Sequence, residues 1–332
     1  MNIIIPMAGL GKRLRPQTLT TPKPLLPIAG KPIVQHLVED IAAIIPEKID
    51  EIGFVTGHFG ENTEQQLLAI AEAVGARGSI HYQDDALGTA HAILCAGSLL
   101  NGKVMIAYAD TLFKAGFELD TEKEAVIWVS NVENPEQFGV VERAENGSIV
   151  KFHEKPASFV SDLAIIGIYY FRDGDNLAGE LKYLLDQQIK TSGEYGITDA
   201  LQNMINKGLA FQTEIVDRWM DCGNREAVLD THRHVLDYKK NQTDVITADF
   251  EDAIIIEPCH IPNGVKISQS VIGPYVSIGK NSVIQNAIIR NSIIQENAVI
   301  ENKLIENSII GNFTTTTGQF NTYNIGDYNQ LG

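Results

Sequence analysis

The spacing of hydrophobic residues along the first half of the chain predicts alternating strands and helices. Ile3, Ile4 and Ile5 form an apolar run typical of a strand buried on both faces. Apolar residues then recur at helical spacing over 33–44 and 61–74, with strand character over 51–56 between them. This βαβ alternation predicts an α/β fold with a Rossmann-like, mostly parallel sheet and helices on both faces. Ligands of such sheets bind at the carboxyl ends of the strands.

The middle of the chain first continues this pattern and then departs from it. A helix is predicted between two further strands, at 80–83, 88–96 and 104–109. Strand-like runs without intervening helices follow, at 125–130, 138–142, 149–153 and 164–171. Such runs predict an antiparallel extension at the edge of the sheet, placed to close a pocket over a second ligand. The last predicted elements of this region are two helices, a strand and a helix, at 177–189, 198–207, 211–216 and 225–240.

From Ile254 onward the pattern changes to aliphatic pairs that recur every five or six residues, such as Val283-Ile284 and Ile288-Ile289. Asn tolerates the left-handed backbone conformation that a corner requires. The pattern therefore predicts a hexapeptide-repeat, left-handed β-helix of roughly four coils with about eighteen residues in each. Asparagines keep the same period, at Asn281, Asn286, Asn291, Asn297, Asn302, Asn307 and Asn312.

These patterns predict a domain at 1–240, a linker at 241–253 and the β-helix at 254–332. The end coil of a β-helix must be capped or buried by a partner. The polar and aromatic tail 314–332 is a candidate cap, and we also expect a homo-oligomer, for which the β-helix is a candidate interface.

The loop after the first strand has two interpretations. Gly9 and Gly11 follow the strand and are themselves followed by the cations Lys12 and Arg13. They serve either as a tight turn or as a loop whose amides approach an anion closely. It is not a P-loop, because Arg13 stands where Ser or Thr is needed, and it lacks the third glycine of the dinucleotide fingerprint. Lys23 favours the anion site, since Pro22 and Pro24 stiffen the backbone that carries its charge.

Carboxylates follow two of the predicted strands. Asp110 follows Val104–Ala109 and Asp221 follows the strand at 211–216, although a carboxylate at a strand end is often only a turn former. Gln83 carries a donor and an acceptor on one amide, as a pyrimidine edge requires, and Gly88 would let backbone approach a base. Glu154-Lys155 precedes a proline and is either a fixed cation beside a carboxylate or an ordinary surface pair.

Charge and composition narrow the function. The formal net charge of -16 argues against nucleic-acid or anionic-membrane partners, because the overall field repels polyanions. Any anionic substrate must therefore be held by local cations. The N-terminus shows no charged leader before an apolar core, and no run approaches the length of a membrane span, so a cytoplasmic protein is expected. Cys95, Cys222 and Cys259 lack the spacing of a disulfide framework or metal site.

In combination, these motifs resemble the sugar-1-phosphate nucleotidylyltransferases, and specifically the pyrimidine-using hexose-1-phosphate branch. The best match is the long form of glucose-1-phosphate thymidylyltransferase with a C-terminal left-handed β-helix. The resemblance covers nearly the whole chain, and the loop departs from the commonest form at Ala8 and Lys12. The motifs that carry it are Ala8-Gly9-Leu10-Gly11-Lys12-Arg13-Leu14, Pro22-Lys23-Pro24, Gly88-Thr89-Ala90-His91-Ala92, Asp110, Glu154-Lys155-Pro156 and Trp219-Met220-Asp221-Cys222-Gly223.

The resemblance implies a role for each site residue. Arg13 holds the triphosphate, Lys23 the reacting phosphates and Lys155 the sugar phosphate, and Asp110 with Asp221 holds Mg²⁺. The implied catalytic set is Arg13, Lys23, Asp110, Lys155 and Asp221. The implied nucleotide-binding set is Ala8, Gly9, Leu10, Gly11, Lys12, Arg13, Lys23, Gln83, Gly88, Thr89 and Asp110. The implied sugar-phosphate set is Gly139, Glu154, Lys155, Glu194 and Asp221.

The implied reaction is attack of a hexose 1-phosphate, with glucose 1-phosphate favoured, on the α-phosphorus of dTTP or UTP. Because the nucleophile is already ionised, charge neutralisation and in-line positioning are needed, and a general base is not. Alternatives are a catalytically silent regulatory subunit, a mannose-1-phosphate guanylyltransferase, or a bifunctional enzyme with acyltransferase activity in the β-helix. His260 is the only histidine of the β-helix and so its only candidate base. The sequence does not decide between dTTP and UTP.

Overall fold

The computed structural model describes residues 1–9, 11–239 and 250–319. They form two compact units. The first comprises Met1–Leu26 and Pro32–Asn224, and the second comprises Pro27–Lys31 and the described residues from Arg225 onward. The short segment Pro27–Lys31 joins the second unit partly through Ala29, whose backbone N–H donates to His232 Nδ1 at 3.0 Å. The predicted boundary near residue 240 lies among residues outside the described set.

The strands and helices of the chain up to residue 239 follow the predicted order closely. The strands are β1 (Asn2–Pro6), β2 (Pro27–Ile28), β3 (Lys31–Pro32), β4 (Glu51–Thr56), β5 (Arg77–Tyr82), β6 (Val104–Ala107), β7 (Thr111–Lys114), β8 (Ala125–Asn131), β9 (Gly139–Arg143), β10 (Ile149–Glu154), β11 (Leu163–Phe171), β12 (Phe211–Ile215) and β13 (Arg218–Asp221). The helices are α1 (Ile33–Ile44), α2 (Glu61–Ala73), α3 (Thr89–Cys95), α4 (Gly174–Asp186), α5 (Ile197–Asn206) and α6 (Arg225–Tyr238). Within the described residues, no helix is long and apolar enough to cross a bilayer.

The first unit is built on one mixed sheet with the strand order β10-β9-β11-β6-β1-β4-β5. β6, β1, β4 and β5 run parallel, as the βαβ pattern predicts. β11 pairs antiparallel with β6, β8 and β9, which confirms the predicted antiparallel extension. One hydrophobic cluster joins these strands to α3, α4 and α5, with Ile4, Ile106 and Leu201 fully buried. The α/β fold class is therefore confirmed.

A two-stranded ribbon, absent from the predicted elements, controls where two carboxylates lie. β7 pairs antiparallel with β13, and this pairing sets Thr111 opposite Asp221. The strand at 211–216 was expected to lead directly into Asp221, but it ends at Ile215 and Asp221 closes the separate strand β13. The predicted strand 104–109 likewise ends at Ala107, so Asp110 lies in the turn between β6 and β7.

The second unit contains the predicted left-handed β-helix, whose short parallel strands stack in three sheets. Phe250 pairs with Ile267, so the β-helix includes residues of the segment 241–253 that was predicted as a linker. Lys266 stacks on Val283, which stacks on Val299, which stacks on Thr315. One coil therefore takes sixteen or seventeen residues, shorter than the eighteen expected. The strands are β14 (Phe250–Glu251), β15 (Ile254–Ile255), β16 (Cys259–His260), β17 (Lys266–Ser268), β18 (Val271–Ile272), β19 (Val276–Ile278), β20 (Val283–Gln285), β21 (Ile288–Arg290), β22 (Ser292–Ile294), β23 (Val299–Glu301), β24 (Leu304–Glu306), β25 (Ile309–Ile310) and β26 (Thr315–Thr317).

The asparagine period has the structural role predicted for it, with one exception. The exception is Asn312, where the neighbouring Phe313 takes the left-handed conformation with φ 56°. Side-chain amides also bond between successive coils, as where Asn286 Nδ2 donates to Asn302 Oδ1 at 2.9 Å. The predicted cap, 314–332, lies outside the described residues from 320 onward. Positive φ occurs at Asn281, Asn286, Asn291, Asn297, Asn302 and Asn307.

Candidate functional site

A cavity of about 330 Å³ lies in the first unit at the carboxyl ends of the parallel strands. The ends of β1, β5 and β6 lead directly into it, as the α/β pattern predicts. Its wall combines predicted nucleotide-binding residues and the predicted sugar-binding residue Glu194 with neighbours that were not among the predicted site residues. The predicted residues are Ala8, Gly9, Lys23, Gln83, Gly88, Thr89, Asp110 and Glu194, and the others are Pro6, Met7, Pro24, Ala86, Ala92, Tyr108 and Ala109.

The loop after β1 is shaped around two glycines with different roles. A side chain at Gly9 would point into open space, so bare backbone is exposed at the cavity wall. Gly11 has φ 57°, and a Cβ there would come within 3.0 Å of the side chains of Lys23 and Thr18. Thr18 Oγ1 also donates to Gly11 O at 2.8 Å. The loop thus combines an accessible amide segment with a close approach that packs it against Lys23.

Lys23 is held in the rigid setting that its flanking prolines predict. It begins a short 3₁₀ turn in which Leu25 N–H donates to Pro22 O and Leu26 N–H donates to Lys23 O. The side chain is only 10% exposed, and its Nζ lies 2.6 Å from Asp110 Oδ2. Asp110 is 42% exposed and faces the cavity. A buried ammonium next to a half-exposed carboxylate places two opposite charges at the cavity wall.

The β7–β13 ribbon brings Asp221 beside this pair. Cys222 N–H donates to Asp110 O at 2.9 Å, which joins the two chain segments next to their carboxylates. Burial raises the pKa of Asp221, and the negative charge of Asp110 raises it further. Lys23, the Gly223 backbone N–H and Arg13 act in the opposite direction, to lower this pKa. The two carboxylates predicted to bind metal are thus close enough to repel each other.

Gly223 explains how Arg13 reaches Asp221. A Cβ at Gly223 would lie 2.7 Å from Asp221 Oδ2 and 3.3 Å from an Arg13 guanidinium nitrogen. No side chain fits between them, so the glycine leaves room for the cation to approach the carboxylate. Arg13 is nevertheless exposed to solvent. The structure therefore groups Arg13 and Lys23 with Asp110 and Asp221, which lie far from them in sequence.

Gln83 and Gly88 lie together at the other end of the lining. Gln83 Nε2 is 3.2 Å from Gly88 O and 3.2 Å from His91 Nδ1. The sequence interpretation gave Gln83 both a donor and an acceptor for a base, but the donor is engaged within the protein. Gly88 has φ 118°, and a Cβ there would collide with the backbone of Tyr195. Packing against Tyr195 therefore requires glycine at position 88, independently of any ligand in the cavity.

Tyr108 connects the cavity to the predicted sugar-binding residues. It lines the cavity, and burial raises its pKa, with the charges of Asp110 and Glu154 raising it further. Gly167, with φ 86°, leaves space for the Tyr108 ring, which a Cβ would meet at 2.6 Å. The sequence interpretation missed Tyr108. Its signal was its position at the carboxyl end of β6, where ligands of such sheets bind.

Three of the five predicted sugar-phosphate residues, Gly139, Glu154 and Lys155, form a second group around the β9–β10 hairpin. Gly139 pairs with Glu154, and a Cβ at Gly139 would lie 3.1 Å from Glu154 Oε2. Lys155 Nζ is 3.9 Å from Glu154 Oε1, and its side chain is 64% exposed. Of the predicted sugar-phosphate set, Glu194 lines the cavity.

Of the remaining residues of the predicted loop, Gly11 and Lys12 are not part of the cavity lining. Leu10 lies outside the described residues. Lys12 is exposed, and Gly11 packs against Lys23 and Thr18. The structure therefore brings together the nucleotide-binding motifs and the two aspartates, and it leaves Lys155 at an exposed margin.

The carboxylates of Asp110 and Asp221 beside the cavity fit a divalent cation whose remaining coordination positions are filled by waters and substrate phosphates. Across 1–9, 11–239 and 250–319, no group of three or more His, Cys, Asp or Glu side chains is arranged to hold a metal. Asp110 and Asp221 supply two carboxylates whose mutual repulsion raises the pKa of Asp221. Mg²⁺ is commonly bound by one or two carboxylates together with waters and substrate phosphates. Two repelling carboxylates at an open cavity match that requirement.

The fold and site together define a class of protein. It has an α/β domain followed by a β-helix, and the strand ends of the α/β domain carry an exposed amide loop, two cations and two carboxylates suited to an anionic ligand. Comparison with family profiles identifies each part. Residues 2–238 match the nucleotidyl transferase family, and residues 241–318 match the GlmU-like C-terminal hexapeptide family.

Individual relatives agree with these matches. The low-salt glycan biosynthesis nucleotidyltransferase Agl11 of Haloferax volcanii is 33% identical over 86% of this chain and 85% of its own length. The bifunctional protein GlmU of Methanococcus maripaludis is 33% identical over 71% of this chain, which spans about half (54%) of that protein. A crystal structure from Bacillus anthracis in complex with sucrose, provisionally assigned as a glucose-1-phosphate thymidylyltransferase, superposes with a TM-score of 0.57. It is 26% identical and covers 70% of this chain and 93% of its own.

The chain belongs to the nucleotidyl transferase family, within the sugar-1-phosphate nucleotidyltransferases, and carries a GlmU-like hexapeptide domain. Members of this family use nucleoside triphosphates and sugar phosphates as substrates.

Proposed function

We propose that this protein transfers a nucleoside monophosphate from dTTP or UTP to a hexose 1-phosphate, with glucose 1-phosphate favoured, and releases pyrophosphate. The observation that carries the proposal is the grouping of Lys23, Arg13, Asp110 and Asp221 beside a cavity with exposed backbone at Gly9. The thymidylyltransferase assignment of the structural relative supports the pyrimidine nucleotide. Local cations of this kind are what an anionic substrate needs on a chain with net charge -16.

In the proposed reaction the chain's residues hold two polyanions in line. The exposed amides of the loop at Gly9 and the Arg13 guanidinium bind the triphosphate, because both are donors that pair well with phosphate oxygens. Lys23 Nζ leaves Asp110 for the oxygens of the α-phosphorus, where negative charge builds up as the sugar phosphate oxygen attacks. The new bond joins that oxygen to the α-phosphorus, and the bond to the β-phosphate oxygen breaks with release of pyrophosphate.

We propose that Asp110 and Asp221 hold Mg²⁺, which when bound neutralises phosphate charge. The pair Glu154 and Lys155 lies at an exposed hairpin, and we propose that Lys155 binds the phosphate of the incoming sugar. Gly139 and Glu194 complete the sugar side, Gly139 by leaving space for Glu154. No general base is required for an ionised nucleophile.

The test is pyrophosphate release over a grid of nucleoside triphosphates and sugar 1-phosphates in the presence of Mg²⁺. We expect turnover with dTTP or UTP and glucose 1-phosphate. Turnover restricted to GTP and mannose 1-phosphate would instead identify the guanylyltransferase alternative. If no pair turns over, the protein is the silent member of the fold and the proposal fails.

A second candidate activity is acyl transfer in the β-helix, favoured by the GlmU-like family match. Against it, the ring of His260, the only histidine of the β-helix, packs on the bare face of Gly30, where a Cβ would overlap it. We therefore propose that the β-helix serves assembly. Acetyl-CoA consumption with glucosamine 1-phosphate tests this, and sustained turnover there would restore the bifunctional alternative.

We propose that the assembly is a homo-oligomer formed through one face of the β-helix. Ile254, Val271, Ile288 and Leu304 stack in register on the outside of this face, and Leu304 is 75% exposed. Beside them Arg290 is in register with Glu306, so the face carries both charges and is complementary to a second copy of itself. Light scattering of Leu304→Glu should show a smaller particle than wild type. An unchanged mass, or a monomeric wild type, would refute the interface.

A further inference from the structure

The orientation of the Gln83 amide is fixed by its surroundings. Gln83 follows β5, and its backbone N–H donates to Thr56 O at 2.9 Å, which anchors the residue at the strand end. One side-chain atom, Nε2, is 3.2 Å from both Gly88 O and His91 Nδ1. A carbonyl oxygen can only accept a hydrogen bond, so the group facing Gly88 O must be the NH₂ and cannot be the amide oxygen.

This orientation of the Gln83 amide also determines which ring nitrogen of neutral His91 carries the proton. The amide NH₂ has two hydrogens, of which one bonds to Gly88 O and the other points to His91 Nδ1. Nδ1 can accept only if it carries no proton, so the neutral ring is protonated at Nε2. Both donors of Gln83 are thus engaged by the protein. Among the described residues Oε1 has no hydrogen-bond partner, and Gln83 lines the cavity.

We infer that His91 is a positioning residue that locks Gln83 so that the Gln83 side chain offers a base a hydrogen-bond acceptor and no donor. Such a site selects a base that carries N–H at the paired ring position, as uracil and thymine do at N3. It disfavours cytosine, because N3 of cytosine is a hydrogen-bond acceptor. Two acceptors, N3 and Gln83 Oε1, would then face each other with no hydrogen between them. This inference rests on the proposed function to the extent that it places a nucleoside triphosphate in this cavity.

His91 is suited to this task because it is carried by α3, whose first turn is fixed independently of any ligand. Thr89 Oγ1 accepts from Ile197 N–H at 3.0 Å, and Ala90 N–H donates to Tyr195 O at 2.9 Å. The imidazole therefore stays in place while the base arrives. Removing the acceptor at His91 would free the amide to rotate and offer its NH₂ to a base instead.

The experiment compares His91→Leu, which has no acceptor, with His91→Gln, whose amide oxygen can still accept from Gln83. Steady-state rates and calorimetric binding are measured for UTP, dTTP and CTP, with thermal melting as the control for folding. For wild type we expect kcat/KM for UTP or dTTP to exceed that for CTP by roughly 100-fold, as loss of one paired group at a buried site allows.

His91→Leu should raise KM for the preferred triphosphate roughly tenfold or more with little change in kcat, and the preference over CTP should shrink. His91→Gln should keep most of the preference. A folded His91→Leu protein with an unchanged preference over CTP would overturn the inference while leaving the proposed function intact. If no triphosphate turns over but binding shows the same dependence on His91, the proposed function fails and the inference stands. If no triphosphate binds, both fail.

Discussion

The cavity of the first unit and the β-helix of the second differ in the sequence separation of the residues that contact each other. In the β-helix the bonds between coils repeat at a fixed short separation. Ser270 Oγ accepts from Ala287 N–H, Ser282 Oγ from Ala298 N–H and Ser292 Oγ from Ser308 N–H, always sixteen or seventeen residues along. In the cavity the pair Lys23–Asp110 spans 87 residues. Each cavity contact occurs once, whereas bonds of the same kind recur along the β-helix.

Because of this difference, a single substitution should affect activity and stability differently in the two regions. Loss of one charge in the cavity removes a contact that nothing else duplicates, so activity should collapse while the fold survives. Loss of one corner in the β-helix removes one of several equivalent contacts, so stability should fall modestly and activity should not.

The largest effect is expected from Lys23→Met. It removes the buried charge nearest the cavity and leaves Asp110, which is 42% exposed, able to be solvated. Turnover should fall by about a hundred- to a thousandfold, as for loss of one transition-state contact. The matched control is Lys182→Met, at an exposed lysine on α4, and it should leave the rate unchanged. Turnover of Lys23→Met within tenfold of wild type would show that the Lys23–Asp110 pair is structural.

A smaller effect is expected from Asn302→Ala in the β-helix. Asn302 has φ 54° and accepts a hydrogen bond from Asn286 Nδ2 at 2.9 Å. Alanine loses that bond and is strained in the left-handed conformation, so the free energy of unfolding should fall by about 1–2 kcal/mol. Asn302→Gly loses the bond without the strain and should fall less. Urea unfolding measures both variants, and equal losses would show that backbone conformation is not what Asn302 provides.

The smallest effect concerns the stability contribution of Asp221. Its pKa is raised in the folded protein above the ordinary value of 3.8, because of burial and the charge of Asp110. The folded state therefore binds this proton more tightly than the unfolded state, and stability falls as the pH rises from 3.8 through the folded pKa. At neutral pH the ionised group destabilises the fold, so Asp221→Asn should be more stable than wild type.

The difference in stability between Asp221→Asn and wild type should disappear as the pH is lowered from the folded pKa of Asp221 to 3.8. Unfolding at several pH values measures it. The control Asp217→Asn changes an exposed carboxylate on the same stretch of chain and should show no such gap. If Asp221→Asn is less stable than wild type at neutral pH, the carboxylate is not under electrostatic strain and the case for a cation at Asp110 and Asp221 weakens.

The same contrast explains how much the sequence could predict. Periodicity identified the β-helix and the order of the sheet because both repeat along the chain. It overestimated the coil length, since the aliphatic pairs recur every five or six residues and only the strand register distinguishes sixteen or seventeen from eighteen.

In the cavity, strand-end reasoning brought Asp110 to the correct edge, but it missed the β7–β13 ribbon that brings Asp221 beside it. Pairing between segments more than a hundred residues apart leaves no local signal. The engaged donor of Gln83 was also beyond prediction, because it depends on the backbone carbonyl of Gly88 and the ring of His91, which only the folded loop places nearby.

The most direct test of the central claim follows the α-phosphorus itself. Wild-type protein is incubated with Mg²⁺, glucose 1-phosphate and dTTP or UTP labelled at the α-phosphate, and the products are separated. The account predicts that the label enters a nucleoside diphosphate sugar and that the released pyrophosphate is unlabelled. Label in the pyrophosphate, transfer of a γ-label to the sugar, or no labelled sugar nucleotide with either triphosphate would contradict it.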